Sequence, residues 1–371
     1  MPRSRTSTAA ASTPLRFVRA WSTFFGSTGT APSVPPGRPF VSDAANSATQ
    51  QYCAGHHIVL WGGKPVRKIL GPVLLGLGGF LLIAGLLGLV WAPGVVKKTP
   101  LQVETVTYLD GEAGKIDTST GDLVENPIYA ISDTRTDTEL STDDTVAWVS
   151  SSCVMIDRGE EPECVDGSED MITASVDVFA SDRVTALADN ESLDLPADAV
   201  PHEGLINKFP FDTEKKTYPY WDGTTGQAVE AVYDRTEDLQ GTETYVFTVN
   251  VDEAPIDIAE GTPGTYTTAK EIYVEPQTGA ILNQTEDQQR YLENGTPVLD
   301  LQLAFTEDQI TQSLDDNAGD RLLLDALTVW LPIVGFVGGA LALVAGFLLM
   351  RGGKRSGNGH ARQRKPVPAG R

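Results

Sequence analysis

The sequence predicts a mainly β domain, with an antiparallel sheet curved into a sandwich or half-barrel, tethered by two transmembrane α-helices. Two long uncharged apolar runs lie toward the ends of the chain, and much of the segment between them alternates at period two. Charge is divided in the same way. Residues 1–68 hold eight basic residues and one acid, residues 351–371 hold seven basic residues and no acid, and residues 69–350 hold 13 basic and 49 acidic residues. So acidic a centre argues against nucleic-acid binding.

The two apolar runs are long enough to cross a bilayer. Residues 69–92 include no charge over 24 positions, and residues 326–350 include none over 25. As a helix, the first run would be about 36 Å long, against a hydrocarbon core of about 30 Å. Core helices of soluble proteins rarely reach this length without a charge, so we interpret both runs as membrane spans.

Basic residues set the expected orientation. Lys64, Arg67 and Lys68 precede the first span, and Arg351, Lys354 and Arg355 follow the second. Because cytoplasmic flanks are enriched in Lys and Arg, both termini are expected in the cytoplasm and the middle outside the plasma membrane. The expected segments are a disordered tail 1–65, helix 66–92, an extracytoplasmic β-rich domain 93–321, helix 322–350 and a basic cytoplasmic tail 351–371. An alternative for the first segment is a mis-assigned start at Val66.

Both spans carry small residues at helical spacing. They are Gly71, Gly78 and Gly85 in the first span, and Gly335, Gly339, Ala342 and Gly346 in the second. Each set lies on one helix face and permits close approach of another helix. The simplest use is packing of the two spans against each other, and homo-oligomerisation through the same faces is the alternative.

The cysteines agree with this topology. Cys153 and Cys164 both fall in the expected outer region, where a disulfide is permitted, whereas Cys53 lies on the cytoplasmic side. A bond between the first two would close a short loop and stabilise it by roughly 3 kcal/mol. A two-cysteine metal site is the alternative, but no nearby histidine completes it.

Alternating segments indicate eight or more short antiparallel strands. The clearest are 227–233, 243–251 and 298–305, and further candidates are 102–109, 128–132, 145–156, 171–180 and 267–275. Three segments ending in Thr-Gly or Thr-Thr-Gly, at Gly121, Gly226 and Gly279, are typical of hairpin turns in which glycine takes positive φ. Thr306 to Gln309 forms the pattern of a helix capping box.

Catalytic chemistry is poorly represented, so we expect no enzyme, metal or cofactor. His202 is the one histidine of the outer region, and without a Gly-x-Ser-x-Gly motif we expect it in a surface or loop role. The many carboxylates leave a catalytic Asp/Glu pair for glycoside hydrolysis as an alternative. Calcium binding by residues 157–170 is another alternative, but the spacing of acids in that run does not match a calcium loop. A solvated anionic surface is the simpler interpretation of the acids.

The most distinctive segment is aromatic. It contains Phe209, Phe211, Tyr218, Tyr220 and Trp221. Anchoring of a long connection in the core is the first interpretation, and a rim for a lipid or glycan is the second. An acidic surface with such a rim would suit a cationic or neutral amphiphile.

The chain resembles the porin PorA family, two-span membrane proteins of unknown function from high-GC Gram-positive bacteria. The resemblance covers about residues 66–350. The residues that carry it are Arg67-Lys68-Ile-Leu-Gly, Gly204-Leu with Lys208-Phe-Pro-Phe, Tyr218 and Trp221-Asp, Gly241-Thr-Glu-Thr-Tyr-Val-Phe, and Thr278-Gly. The long N-terminal extension departs from the family pattern. The family label implies a channel, although the two spans offer no polar lining. The layout is also similar to scavenger-receptor-like proteins, and the curved sheet to periplasmic lipoprotein carriers, at the level of fold only.

These observations favour a non-enzymatic cell-envelope membrane protein whose acidic outer domain binds or passes an amphiphile such as an envelope lipid. A membrane scaffold or sensor that assembles through its glycine faces with a protein partner is the second hypothesis. An oligomeric channel is the third.

Overall fold

A computed structural model describes residues 65–352, apart from residues 118, 160–163, 165–167 and 260. The expected N-terminal tail with Cys53, the question of the translation start and the basic tail from residue 353 onward lie outside the described residues.

Two long helices flank the sheet in sequence. The first comprises α1 (Pro65–Val90) and the short α2 (Ala92–Val96). The second runs without a break through α3 (Glu307–Asp325), a π-helical turn (Ala326–Trp330), α4 (Leu331–Ile333), another π-helical turn (Val334–Gly338) and α5 (Gly339–Gly352).

Both helices have the length and composition of membrane spans. Residues 69–90 and 307–351 meet this condition, and only 17% of each apolar window is buried. A core helix of a soluble protein would be mostly buried, so the exposed apolar faces require a bilayer around them. The chain is a membrane protein.

The glycine stripes of the two helices face each other. A Cβ on Gly71 would lie 2.9 Å from a side-chain atom of Met350, and a Cβ on Gly78 would lie 2.9 Å from the carbonyl oxygen of Gly339. A Cβ on Gly346 would lie 2.9 Å from the carbonyl oxygen of Gly71. Ala342, which lies between Gly339 and Gly346 in sequence, is half-buried. These faces are therefore used within one chain.

Ten antiparallel strands form one sheet that curls into a half-barrel, which confirms the predicted fold class. The strands are β1 (Glu104–Ile116), β2 (Leu123–Asp137), β3 (Thr145–Ile156), β4 (Met171–Asp182), β5 (Tyr218–Asp222), β6 (Gln227–Leu239), β7 (Thr242–Ala259), β8 (Thr262–Val274), β9 (Ile281–Leu292) and β10 (Pro297–Phe305). Their order is β4-β3-β2-β1-β10-β9-β8-β7-β6-β5. The first and last strands pair, so β4 and β5 form the two edges.

The predicted turns lie where the sequence suggested. Gly121, Gly226 and Gly279 have φ values of +79°, +66° and +73°, and they close the β1–β2, β5–β6 and β8–β9 hairpins. All three glycines therefore take the predicted positive φ. Strands β5 and β9 were not predicted.

The connecting segment (residues 183–217) links the two edges of the sheet. Ser181 at the end of β4 bridges to Ala188, Leu187 bridges to Leu205, and Leu205 in turn bridges to Tyr220 of β5. These single bridges close part of the gap that the half-barrel leaves between β4 and β5.

Three apolar clusters pack on the sheet. The larger apolar cluster includes Leu205, Phe209, Phe247 and Ile272, all fully buried. The two smaller clusters comprise Ala113, Ile128 and Leu301 near the hairpin ends away from the membrane helices, and Val146, Trp148 and Phe179 on β3 and β4. Alternate residues of each strand therefore fill the interior, as period two requires.

A buried polar network lies beside these clusters. The hydroxyl of Tyr266 donates to Asp222 at 3.0 Å, and the ammonium of Lys270 lies 3.4 Å from Glu286. Burial opposes the charge of Lys270, but the surrounding Glu286, Tyr266 and Asp222 raise its pKa above the usual value. The network neutralises the ions inside the half-barrel.

Cys153 and Cys164 form a disulfide in the structure. Their Cα atoms lie 6.3 Å apart, a span that a disulfide normally bridges. The bond ties the end region of β3 to the loop that leads into β4.

Candidate binding cavity between helix α3 and the sheet

A cavity of about 560 Å³ lies between α3, the concave face of the sheet and residues 206–211 of the connecting segment. Strands β1 and β2 contribute hydroxyl side chains to its wall, namely Thr105, Thr107, Ser132 and Thr134. Apolar side chains supply most of the rest, among them Val103, Leu109, Ile206, Phe211, Ile281 and Phe305. The volume is in the range of small-molecule sites.

Helix α3 forms one side of the cavity because its N-terminus is fixed to β1. The hydroxyl of Thr306 accepts the backbone N–H of Gln309, which is half of the predicted capping box. The side-chain oxygen of Gln309 accepts the N–H of Tyr108 at 3.1 Å instead of returning to Thr306. The helix cap and the sheet are thus held together by one glutamine.

Further along, α3 is attached to the β8–β9 turn (Glu275–Gly279). The side-chain amide of Asn317 lies 2.7 Å from the hydroxyl of Thr278, and Arg321 lies 3.4 Å from the buried carboxylate of Glu275. Gln277 donates to Asp325 at 2.9 Å. Three side chains, one or two turns apart on the helix, therefore contact a single hairpin turn.

The same turn holds the connecting segment. Phe209 donates its N–H to the carbonyl of Gly279 at 2.9 Å, and Thr213 donates to Pro276 at 2.7 Å. A Cβ on Gly279 would lie 2.1 Å from the carbonyl oxygen of Phe209, so only glycine permits this approach. Residues 206–213 are consequently fixed against the sheet and α3.

Lys208 reaches the cavity because it alternates with the core residue Phe209. Its ammonium donates to the hydroxyl of Thr99 at 3.3 Å and lies 3.9 Å from the ring centroid of Phe211. Burial lowers the pKa of Lys208 to about 8, although the carboxylate of Asp320 pulls it upward. The side chain is a cation with little compensating charge in a largely apolar wall.

Comparison with known proteins places the chain in a family. The family model described as Porin PorA matches residues 70–348, which is most of the chain. The chain belongs to the porin PorA family. No curated protein matches it. The matched range includes both membrane helices and the whole half-barrel, so this member of the family crosses the membrane with helices.

The aromatic residues that the sequence singled out have different surroundings in this family member. Phe209, Tyr218 and Tyr220 are buried in the larger apolar cluster, as in the core interpretation. Tyr220 also lines the cavity, together with Phe211. Trp221 is partly buried against the ring of His202, with centroids 4.4 Å apart.

His202 lies in the connecting segment, as expected, but it is only 2% exposed, so a surface role was wrong. One ring nitrogen lies 2.7 Å from the carbonyl oxygen of Val200, and the other lies 2.8 Å from a carboxylate oxygen of Asp177 on β4. One contact is therefore internal to the connecting segment, and the other joins that segment to the edge strand β4.

Sequence reasoning did not find the cavity or Lys208. The nearest signal was the Lys-Phe-Pro-Phe segment at residues 208–211, which the sequence offered for its aromatic residues and for the family resemblance but not for a binding role of the lysine. Among the described residues, no group of three or more His, Cys, Asp or Glu side chains could hold a metal ion. The acidic run 157–170 is only partly described, and there Arg158 pairs with Asp170 at 2.8 Å.

Proposed function

We propose that this chain is a non-enzymatic membrane protein of the cell envelope that binds an amphiphile in the cavity. Both termini lie in the cytoplasm and the half-barrel lies outside in this proposal, consistent with the basic flanks of the spans. The observation that carries the proposal is the position of the cavity, whose lining extends from the sheet to the ends of the membrane helices.

The membrane end of the cavity is formed by three apolar residues. Val96 is the last residue of α2, and Leu323 and Leu324 precede the apolar run of the second span by three and two positions. An acyl chain leaving the outer leaflet would meet these side chains first. Such a chain gains free energy from burial in proportion to the apolar area removed from water.

Other parts of the cavity wall offer hydrogen-bonding groups. Thr107 and Ser132 face it from the sheet, and Asn207 and Gln284 face it from the connecting segment and β9. A wall with both apolar and hydrogen-bonding side chains suits the two parts of an amphiphile.

Lipid retention tests this proposal. Full-length protein is purified from native membranes in a mild maltoside detergent, and native mass spectrometry measures the lipid that stays bound. The cavity variant is Ala280→Phe, since Ala280 lines the cavity. The matched control is Val176→Phe, since Val176 is 74% exposed on β4.

We expect bound lipid in the wild type and in Val176→Phe, and at most a small fraction of it in Ala280→Phe. Equal occupancy in all three proteins would place the lipid on the membrane helices, and the cavity proposal would be rejected. A wild type that never retains lipid would also reject it.

A second candidate is an oligomeric pore, which the family description favours. The facing glycine stripes bind α1 to α5 within one chain, so a pore would be built from other helix faces or from the half-barrels. Purified protein in planar bilayers would show discrete conductance steps that scale with protein concentration to a power above one. Their absence over a wide concentration range would remove this candidate.

A further inference from the structure

Three basic side chains gather around Thr99, a residue of the cavity wall, in a region of the chain where acids greatly outnumber bases. Lys98 and Lys208 line the cavity, and Arg183 donates to the backbone carbonyl of Thr99 at 2.7 Å. A local excess of cations in an acidic domain is a feature of anion recognition rather than of solubility.

The three cations differ in the partners that they already have. Lys98 is 2.9 Å from the carboxylate of Asp144, and Arg183 is bonded to the backbone carbonyls of Thr99 and Asp143. Lys208 forms no ion pair with any residue that the structure describes, and its one hydrogen bond goes to the neutral hydroxyl of Thr99. It therefore retains donors for a ligand.

We propose that Lys208 binds the phosphate of an anionic amphiphile whose apolar tail lies along Val96, Leu323 and Leu324. This inference rests on the proposed function and adds the chemical class of the ligand. It reverses the expectation from composition, because the acidic surface of the domain suggested a cationic or neutral amphiphile.

Burial explains why an anion is favoured at this position. A lysine that is partly removed from water loses hydration, and a phosphate oxygen restores the loss with a charge-assisted hydrogen bond. The lowered pKa of Lys208 reports the same loss of hydration. The ring of Phe211 covers one side of the ammonium, so a ligand reaches Lys208 from another side.

Asp320 weakens the binding of an anion in this cavity. It lines the same cavity and is exposed, so its carboxylate repels an anionic headgroup while it attracts Lys208 through space. Asp320→Asn removes the repulsion and is expected to strengthen binding of a phosphate-bearing ligand by a few fold, on the order of 2–5.

The experiment compares two probes with the same acyl chain. Full-length protein in neutral maltoside micelles is titrated with lysophosphatidylglycerol, which is anionic, and with the corresponding monoacylglycerol, which has no phosphate. The variants are Lys208→Gln, Lys208→Arg and Asp320→Asn, and the control is Lys215→Gln, an exposed lysine of the same connecting segment. Glycerol phosphate alone serves as the soluble anion.

We expect the wild type to prefer the anionic probe by about tenfold, the usual effect of one charged hydrogen bond. Lys208→Gln should remove the preference and still bind the neutral probe, while Lys208→Arg and Lys215→Gln should retain the preference. Thermal unfolding of each variant in the same detergent verifies that it is folded.

Four results would overturn the inference. Equal binding of both probes by the wild type, or an undiminished preference in Lys208→Gln, would reject recognition by Lys208 and leave the amphiphile proposal intact. Glycerol phosphate binding as tightly as the lipid would make the ligand a soluble anion. Binding of neither probe would reject this inference together with the proposed function.

Discussion

Gly85 and Gly335 are in direct backbone contact where the two membrane helices cross. A Cβ on Gly335 would lie 2.5 Å from the Cα of Gly85, and a Cβ on Gly85 would lie 3.1 Å from the Cα of Gly335. No side chain fits between the two backbones. The helices that carry the half-barrel at both its ends are therefore joined by van der Waals contact of the main chains, the usual cohesive force between helices in lipid.

Replacement of Gly335 by Leu should separate α1 from the second membrane helix. The larger side chain overlaps the backbone of Gly85, and overpacking of this kind costs about 1–3 kcal/mol. We expect a lower midpoint of thermal unfolding in detergent. The control is Gly76→Leu, since a Cβ there meets nothing within 4 Å. Equal midpoints for both variants would show that the stripe is dispensable for stability.

The membrane helices and the alternating strands could be predicted from the sequence because their signals are local. Twenty-four residues without a charge and a strict period of two each have one common structural solution. Strand β9 could not be predicted in this way. Its inward side chains Glu286, Gln288 and Arg290 belong to the buried polar network instead of an apolar face, so its sequence has no hydrophobic alternation.

The cavity and Lys208 could not be predicted from the sequence for a different reason. Lys208 and Phe209 are neighbours in sequence, but Phe209 is fully buried in the core and Lys208 lines the cavity. That division depends on Gly279 and Phe209 being in contact across 70 residues of chain, which no local pattern reveals. For the aromatic residues, the sequence offered two interpretations, anchoring in the core and a rim for a ligand, and could not assign each residue to one of them.

Gly279→Ala should displace the connecting segment and weaken ligand binding. The positive φ costs an alanine about 1–2 kcal/mol, and its Cβ would also overlap the carbonyl oxygen of Phe209. The matched control is Gly121→Ala, with φ of +79° and nothing within 4 Å of its Cβ. Both variants should lose stability, but only Gly279→Ala should lose more than the φ penalty and reduce lipid retention.

That comparison separates the conformational effect of glycine from its packing effect. If the two alanine variants unfold at the same midpoint, the contact between Gly279 and Phe209 contributes nothing measurable. If Gly279→Ala is less stable but retains lipid normally, the β8–β9 turn is structural and does not position the cavity.

His202 and Asp177 should show a measurable coupling energy. The imidazole is buried between the rings of Phe179 and Trp221, at centroid distances of 5.3 and 4.4 Å, and it is bonded to Asp177 at 2.8 Å. A double-mutant cycle with His202→Ala and Asp177→Ala should give about 0.5–3 kcal/mol of coupling. Denaturant unfolding provides the four free energies, and Glu203→Ala, at an exposed neighbour, is the control.

The same pair should control local opening of the connecting segment. His202→Ala removes one of the bonds that hold residues 183–217 to the edge strand β4, so amide hydrogen exchange there should accelerate more than in β8. Uniform acceleration across all strands would instead mean that His202 stabilises the fold globally.

Lys208 should make the stability of the protein depend on pH in a defined window. Its pKa is lowered from 10.5 to about 8 by burial, so between these values the unfolded chain binds more protons than the folded chain. Stability therefore rises with pH across that window, and below pH 8 the full penalty of the buried charge is present.

Lys208→Met removes this penalty. We expect the variant to be more stable than the wild type at pH 7, by about 1–3 kcal/mol. The difference should shrink between pH 8 and 10.5, because the buried lysine is then neutral and the free energy needed to deprotonate it falls as the pH approaches 10.5. Chemical unfolding in detergent at several pH values measures the difference, with Lys215→Met as the exposed control. A constant difference over the whole range would show that packing on Phe211, rather than the charge of Lys208, decides the effect. Addition of the anionic probe should narrow the difference at pH 7, because a ligand that binds the wild type about tenfold more tightly than the variant stabilises the wild type by up to about 1.4 kcal/mol more.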